Sequence, residues 1–271
     1  MRTPGGAEPI GILPAAGVAS RLTPFRYPKE LLPIVFAPDR RTGRVRPLPA
    51  IEYALEAMRR ASVKRCLVVI ADWKTELVRI LGDGAEAGVR VAYLHRAVPR
   101  GLADAIDAGH PWFEGRQVCL ALPDTIFYPT EAIRAVRAEA TASGADLVLG
   151  VFPASRPEDL GPVRVGADGS VLEVLEKPAA TDLRNTWGVA VWSPRLSDLL
   201  HERVGAREDA GAGPELALGH VFQAAVGRGF SVRAVEFPEG SYVDLGRAES
   251  VGSLLLRTDP RAEGGATEAE A

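Results

Sequence analysis

Residues 9–33 read PIGILPAAGVASRLTPFRYPKELLP, and the first five of them form a short apolar run suited to a buried strand. A long loop follows. In open α/β sheets the loops at the carboxyl ends of strands are where ligands gather. Ala15, Ala16 and Gly17 are small, so backbone amides near them can come close to a phosphate. Arg21 offers a planar, two-pronged grip on phosphate oxygens, and Lys29, directly after Pro28, adds a compact point charge. On these residues alone, a phosphate-holding loop and an ordinary solvated surface loop are equally good readings. Three glycines of a dinucleotide fingerprint are lacking, and no Gly-Lys-Ser/Thr of a P-loop follows.

Outward from this loop, short apolar runs alternate with helical patterns. Strands are expected at 65–70, 90–94, 117–122 and 147–151. Helices are expected at 47–61, where Ile51, Leu55 and Met58 share a face, and at 74–81, 102–108 and 131–142. Continuously apolar strands in a βαβα rhythm argue for a mostly parallel sheet covered on both faces. The second half changes character. Residues 163–165 and 171–174 flank Ala167-Asp168-Gly169, a compact hairpin signal. A strand at 186–192, a helix at 215–226, strands at 231–236 and 242–243 and a helix at 247–256 complete the reading. One α/β domain with a mixed sheet, residues 9–257, is the most economical organisation. Residues 1–8 and 258–271, rich in Gly, Ala, Glu and Pro, read as flexible tails.

Bulk properties narrow the field. With 46% of its 271 residues apolar, the chain can bury a substantial core. A net charge of -3 gives no general attraction for nucleic acid or an anionic membrane. Cys66 and Cys119 lie in strand-like apolar runs, which favours two buried thiols over a disulfide or a metal site. No apolar run approaches the roughly 20 residues that span a bilayer. The N-terminus lacks the apolar core of a secretion signal, so the expectation is a soluble, cytoplasmic protein. Trp73, Trp112 and Phe113 are read as core residues in preference to contacts of a homo-oligomer, and the oligomeric state stays open.

The opening stretch resembles the sugar-1-phosphate nucleotidylyltransferases, especially the glucose-1-phosphate thymidylyl- and uridylyltransferases. Their head motif appears here as Ala16-Gly17, Arg21-Leu22-Thr23-Pro24 and Pro28-Lys29-Glu30-Leu31-Leu32-Pro33. Further segments follow in the family's order, so the resemblance covers residues 9–257. Pro99-Arg100-Gly101-Leu102-Ala103 is similar to the segment that contacts the base. LALPDTIFY at 120–128 is similar to the one that carries the first metal-binding aspartate, here Asp124. Gly161 and Leu175-Glu176-Lys177-Pro178 resemble the sugar site, and Asn185-Thr186-Trp187-Gly188 the strand entrance that closes it. Tyr242-Val243-Asp244-Leu245-Gly246 resembles the motif of the second metal ligand, here Asp244.

That resemblance implies a Rossmann-like (GT-A-like) fold with a small β-rich sugar-binding subregion. It implies transfer of NMP from an NTP to a sugar 1-phosphate, with Mg2+ held by Asp124 and Asp244. Arg21 and Lys29 would be the catalytic pair. Ala15, Ala16, Gly17, Ser20, Arg96 and Gly101 would hold the nucleotide. Gly161, Glu176, Lys177 and Thr186 would hold the sugar phosphate. Blander readings stand beside these: Asp124 as a turn cap, and Glu176 with Lys177 as a surface ion pair. Three positions depart from the family pattern. Ala19 replaces a glycine, Arg96 a base-reading glutamine and Pro123 a glycine. Arginine only donates where glutamine both donates and accepts, so base preference does not transfer. Two alternatives follow: a catalytically silent nucleotide-sugar-binding regulator, and a nucleotidylyltransferase acting on a non-sugar phosphate.

Overall fold

A computed structural model describes residues 7–17, 27–39, 42–97, 99–209, 215–246, 249 and 251–252. Seven strands form one sheet. They are β1 (Ala7–Pro14), β4 (Arg65–Ile70), β5 (Arg90–His95), β6 (Arg116–Ala121), β8 (Leu147–Pro153), β11 (Asn185–Trp192) and β12 (Val232–Glu236), in the order β12-β8-β11-β6-β1-β4-β5. Every pair is parallel except those of β11, which runs antiparallel to both β6 and β8. Sheet and mixed character match the sequence reading.

Strand residues alternate between two cores. Ile12, Leu67, Val69, Val118 and Leu120 face one side; Leu13, Val68, Ile70, Cys119 and Ala121 face the other. Both sets are buried, which is why these strands read as unbroken apolar runs. Helices α1 (Ala50–Arg60), α2 (Thr75–Leu81) and α5 (Ala132–Ser143) cover the second face. Helices α3 (Leu102–Asp107), α4 (His110–Phe113), α6 (Pro194–Asp209) and α7 (Leu218–Gly227) cover the first. Cys66 and Cys119 are buried free thiols, each opposite Gly11 on flanking strands.

Three small ladders sit outside the sheet: β2 (Pro33–Pro38) with β3 (Val45–Pro49), β7 (Thr125–Tyr128) with β13 (Ser241–Asp244), and β9 (Val163–Val165) with β10 (Val171–Val174). The last is the expected hairpin. β13 falls on the strand expected at 242–243, whereas β7 and the β2–β3 ladder correct the sequence reading. The helix expected from 47 begins at Ala50, because Pro47–Pro49 pairs with β2; prolines at 47 and 49 suit an edge strand, not a helix interior. α6 was not expected, although Leu196, Leu199, Leu200 and Val204 are buried at helical spacing. Of the aromatics read as core, only Phe113 is buried; Trp73 and Trp112 are 47% and 48% exposed. Among the described residues no helix is long and apolar enough to cross a membrane. Most of the helix expected at 247–256 lies outside the described residues.

Candidate active site

A cleft of about 430 Å³ opens where β1, β6 and β11 end or begin and where the small ladders meet them. Its walls include Gly17, Lys29, Gly101, Asp124, Gly161, Glu176, Lys177, Thr186 and Asp244. Nine residues singled out from separate stretches of sequence thus share one cavity. Ala15 and Ala16 are fully buried beneath it, and Ala15 N donates to Val69 O at 2.8 Å, tying the turn to β4. Ser20 and Arg21, with Ala19, lie outside the described residues.

One end of the cleft is charged. Asp124 follows β6, and β7 starts immediately after it. β13 returns antiparallel to β7 and places Asp244 opposite Thr125. Leu245 N donates to Asp124 O at 3.0 Å, and Gly246 N donates to Asp244 Oδ1 at 2.7 Å. Lys29 sits on a 3-10 turn, Lys29–Leu31, and its ammonium pairs with Asp124. Burial by itself would lower the Lys29 pKa. The Asp124 carboxylate, with Glu30 and Asp244, outweighs that cost and holds it above the ordinary value. Tyr242 stands behind the aspartates; burial pushes its phenol up, and a hydrogen bond with Thr125 offsets part of that.

Among the described residues no group of three His, Cys, Asp or Glu side chains converges on a cation position. Two carboxylates, Asp124 and Asp244, both act on the Lys29 ammonium. Magnesium is held through one or two carboxylates, with substrate phosphates and waters completing its shell. Asp124 and Asp244, already in the field of a cationic ammonium, fit that donor set.

The opposite end is built from the β9–β10 region and α7. Glu176 is mostly buried, and desolvation raises its pKa. Lys177, His220 and a hydrogen bond from the Gly219 amide offset part of the rise. Gly219 lies in the first turn of α7, where backbone N–H groups and the helix dipole favour a carboxylate. A Cβ on residue 219 would meet Glu176 Oε2 at 2.5 Å, so a larger residue there displaces the end of that carboxylate. Lys177 takes φ +44, a conformation that side-chain-bearing residues rarely hold without outside support. Its amide donates to Leu160 O at 2.9 Å, and its ammonium stands 3.8 Å from Glu176. Both residues line the cleft, the Glu176 side chain 14% exposed and that of Lys177 53% exposed.

Gly161 and Thr186 hold one another. Thr186 Oγ1 accepts from Gly161 N at 3.2 Å, and Trp187 N donates to Gly161 O at 3.0 Å. The Thr186 hydroxyl is thus engaged with backbone, including donation to Trp187 O at 3.0 Å. A Cβ on Gly161 would lie 2.2 Å from Trp187 Nε1, so the pyrrole edge of the indole lies against this glycine.

Between the two ends, Gly101 at φ +110 opens α3 and packs on Leu216. Arg96 does not line the cleft. Its guanidinium clamps Asp104 on α3, with Nε to Oδ2 at 3.0 Å and Nη2 to Oδ1. Arg100 joins through its amide at 3.0 Å and its Nη2 at 3.1 Å. Asp104 is 3% exposed. The guanidinium at the position expected to read a base is thus committed to a buried carboxylate. Sequence reading assigned no role to Glu30, Lys74, Leu216 or Gly219. Their place at the cleft depends on long-range packing, for which a single sequence carries no periodic signal.

The model of the nucleotidyl transferase family matches residues 10–255. This chain belongs to that family. A nucleotidyl transferase from Streptomyces griseus, a glucose-1-phosphate thymidylyltransferase, is 28% identical over 260 residues, covering 92% of this chain and 67% of that protein. The enzyme of the same name from Neisseria gonorrhoeae is 30% identical over 182 residues, covering 66% of this chain. The chain matches 58% of that relative's length, and 54% of a Xanthomonas campestris thymidylyltransferase's. Among solved structures, a putative glucose-1-phosphate thymidylyltransferase from Bacillus anthracis superposes with TM-score 0.75 at 20% identity, covering 98% of both chains. A UDP-glucose pyrophosphorylase complexed with UDP-glucose superposes with TM-score 0.74 at 17% identity, covering 93% of this chain and 98% of that one. At those identities the superpositions speak for the nucleotidyl transferase fold.

Proposed function

We propose that this nucleotidyl transferase moves NMP from an NTP to a sugar 1-phosphate, releasing pyrophosphate. The observation that carries the reading is one cleft with two differently equipped ends: Asp124, Asp244 and Lys29 at one, Glu176, Lys177 and Gly161 at the other. The thymidylyltransferase and pyrophosphorylase relatives agree with it. Residues 9–257 would act as one catalytic unit.

A sugar-phosphate oxygen, ionised at neutral pH, attacks the α-phosphorus. One P–O bond forms as the bond to the β-phosphate oxygen breaks, so no general base is required. The chain's contribution is placement and charge. Asp124 and Asp244 would hold Mg2+, which supplies charge neutralisation at the phosphates when bound. Lys29, kept fully protonated by its carboxylate neighbours, stabilises the charge that builds on the phosphoryl oxygens. Arg21 is assigned the same work from its motif alone. Gly17 and the buried Ala15 and Ala16 leave room for the nucleotide, Ser20 is assigned to it from its motif alone, and Gly101 lies along the base. Glu176 accepts from sugar hydroxyls, Lys177 meets the sugar phosphate, and Thr186 braces Gly161. Arg96, clamped on Asp104, shapes the base pocket through α3.

A pyrophosphate-release screen tests this: nucleoside triphosphates, dTTP and UTP included, against hexose 1-phosphates and non-sugar phosphates with magnesium. Release with at least one sugar 1-phosphate is expected. Nucleotide-sugar binding without turnover in any pair would instead mark a silent binder, and turnover confined to non-sugar phosphates would reassign the acceptor.

A further inference from the structure

One buried ion pair at the cleft has no part in the chemistry above. Lys74 Nζ donates to Glu30 Oε1 at 2.5 Å, and the side chains are 3% and 2% exposed. The partners come from different loops. Glu30 lies on the turn that carries Lys29, and Lys74 closes the 3-10 turn Asp72–Lys74 after β4. Glu30 reaches the cleft wall, and its Oε2 is buried with no hydrogen-bond partner among the described residues.

Stability is a poor account of such a pair. Desolvating two charges is costly, and apolar replacements of similar volume are often as stable or more so. A half-bonded buried carboxylate calls for a reason other than packing. The neighbouring residue supplies one. A three-residue 3-10 turn is weakly defined by itself, and this one makes two backbone bonds, Leu31 N to Pro28 O at 2.9 Å and Leu32 N to Lys29 O at 3.0 Å. Consecutive side chains leave such a turn in different directions. Here Glu30 goes to Lys74 at the end of the sheet, while Lys29 goes to Asp124 in the cleft.

We infer that Glu30 and Lys74 are positioning residues for Lys29. Their ion pair fastens the turn to the end of β4 and thereby sets where the Lys29 ammonium meets the nucleotide phosphates. The inference rests on the nucleotidyl-transfer reading for its catalytic half; the fastening itself does not.

Two variants test it. Glu30→Gln with Lys74→Met removes both charges at nearly constant volume and is expected to fold. Glu30→Asp keeps the charge beside Lys29 but shortens its reach to Lys74. In both, amide hydrogen exchange across residues 28–33 should accelerate. kcat should fall roughly ten- to hundredfold, with the KM for sugar phosphate unchanged in both variants and the melting temperature unchanged in the double variant. A merely structural pair would lower the melting temperature and leave kcat of the folded protein intact. Unaltered exchange, or a wild-type kcat in the double variant, overturns the inference. Wild-type protein that releases no pyrophosphate, alongside accelerated exchange in both variants, removes the functional reading and leaves the fastening in place.

Discussion

Asp244 stands opposite Thr125 in the β7–β13 ladder, and the adjoining Leu245 amide donates to the Asp124 carbonyl at 3.0 Å. Two short strands of four residues each therefore bring together carboxylates from distant parts of the chain. If both bind one divalent cation, Asp124→Asn and Asp244→Asn should each weaken Mn2+ binding about tenfold or more in calorimetry, given how few carboxylates such sites use. Chelation of wild-type protein should abolish turnover. An Asp244→Asn protein with wild-type metal affinity and rate would remove Asp244 from the site.

Lys29 is the cation in contact with Asp124. Lys29→Ala should cost about 10²–10³ in kcat, the scale of a lost transition-state charge contact. Because the same change leaves Asp124 beside a solvent-filled cleft, the melting temperature should move little. Rates near wild type would contradict the role assigned to the ammonium.

Gly219 tests the sugar end without touching a charged group. A methyl there would meet Glu176 Oε2 at 2.5 Å, and the end of a flexible side chain can swing away at little cost. Gly219→Ala should raise the KM for sugar phosphate several-fold, leave the KM for NTP alone and preserve the melting temperature. Equal changes in both KM values would point to general distortion of α7 instead.

Glu176 carries a pH dependence with a definite sign. Desolvation raises its folded-state pKa, and Lys177, His220 and the Gly219 amide only partly oppose this. A raised carboxylate pKa means Glu176 takes up its proton at a higher pH than an exposed glutamate. Falling pH should therefore raise the sugar-phosphate KM before general acid effects begin, and Glu176→Gln should flatten that limb. Stability runs the other way. Above the folded pKa, ionised Glu176 costs stability, and the cost is relieved as pH drops through that pKa. A KM profile identical in wild type and Glu176→Gln would dissociate the carboxylate from sugar binding.

Much of the fold is legible along the chain because its signals are local. Strands buried on both faces show as apolar runs, and Arg65–Ile70 and the Val163–Val165/Val171–Val174 hairpin fall where the pattern puts them. Where a competing pattern overlapped, the reading slipped. Apolar residues at 51, 55 and 58 extended a helix backward over Pro47–Pro49, which instead joins an edge ladder. Charges interleaved through Pro194–Asp209 hid the stripe of Leu196, Leu199, Leu200 and Val204. Trp73 and Trp112 are apolar enough for a core and lie half-exposed, since burial depends on what covers a residue and not on its type.

The stretch at 9–33, by itself, determines a strand and a following loop that carries Arg21 and Lys29, because chain order and residue chemistry are enough for that; the family head motif, not the residues alone, marks the loop as a phosphate site. Only the tertiary structure decides that Lys29 meets Asp124, that Asp244 arrives beside it, that Arg96 is spent on Asp104, and that Glu176 rests against Gly219. Each of those contacts joins segments whose meeting depends on sheet order and strand register, which long-range packing sets and which no local pattern encodes.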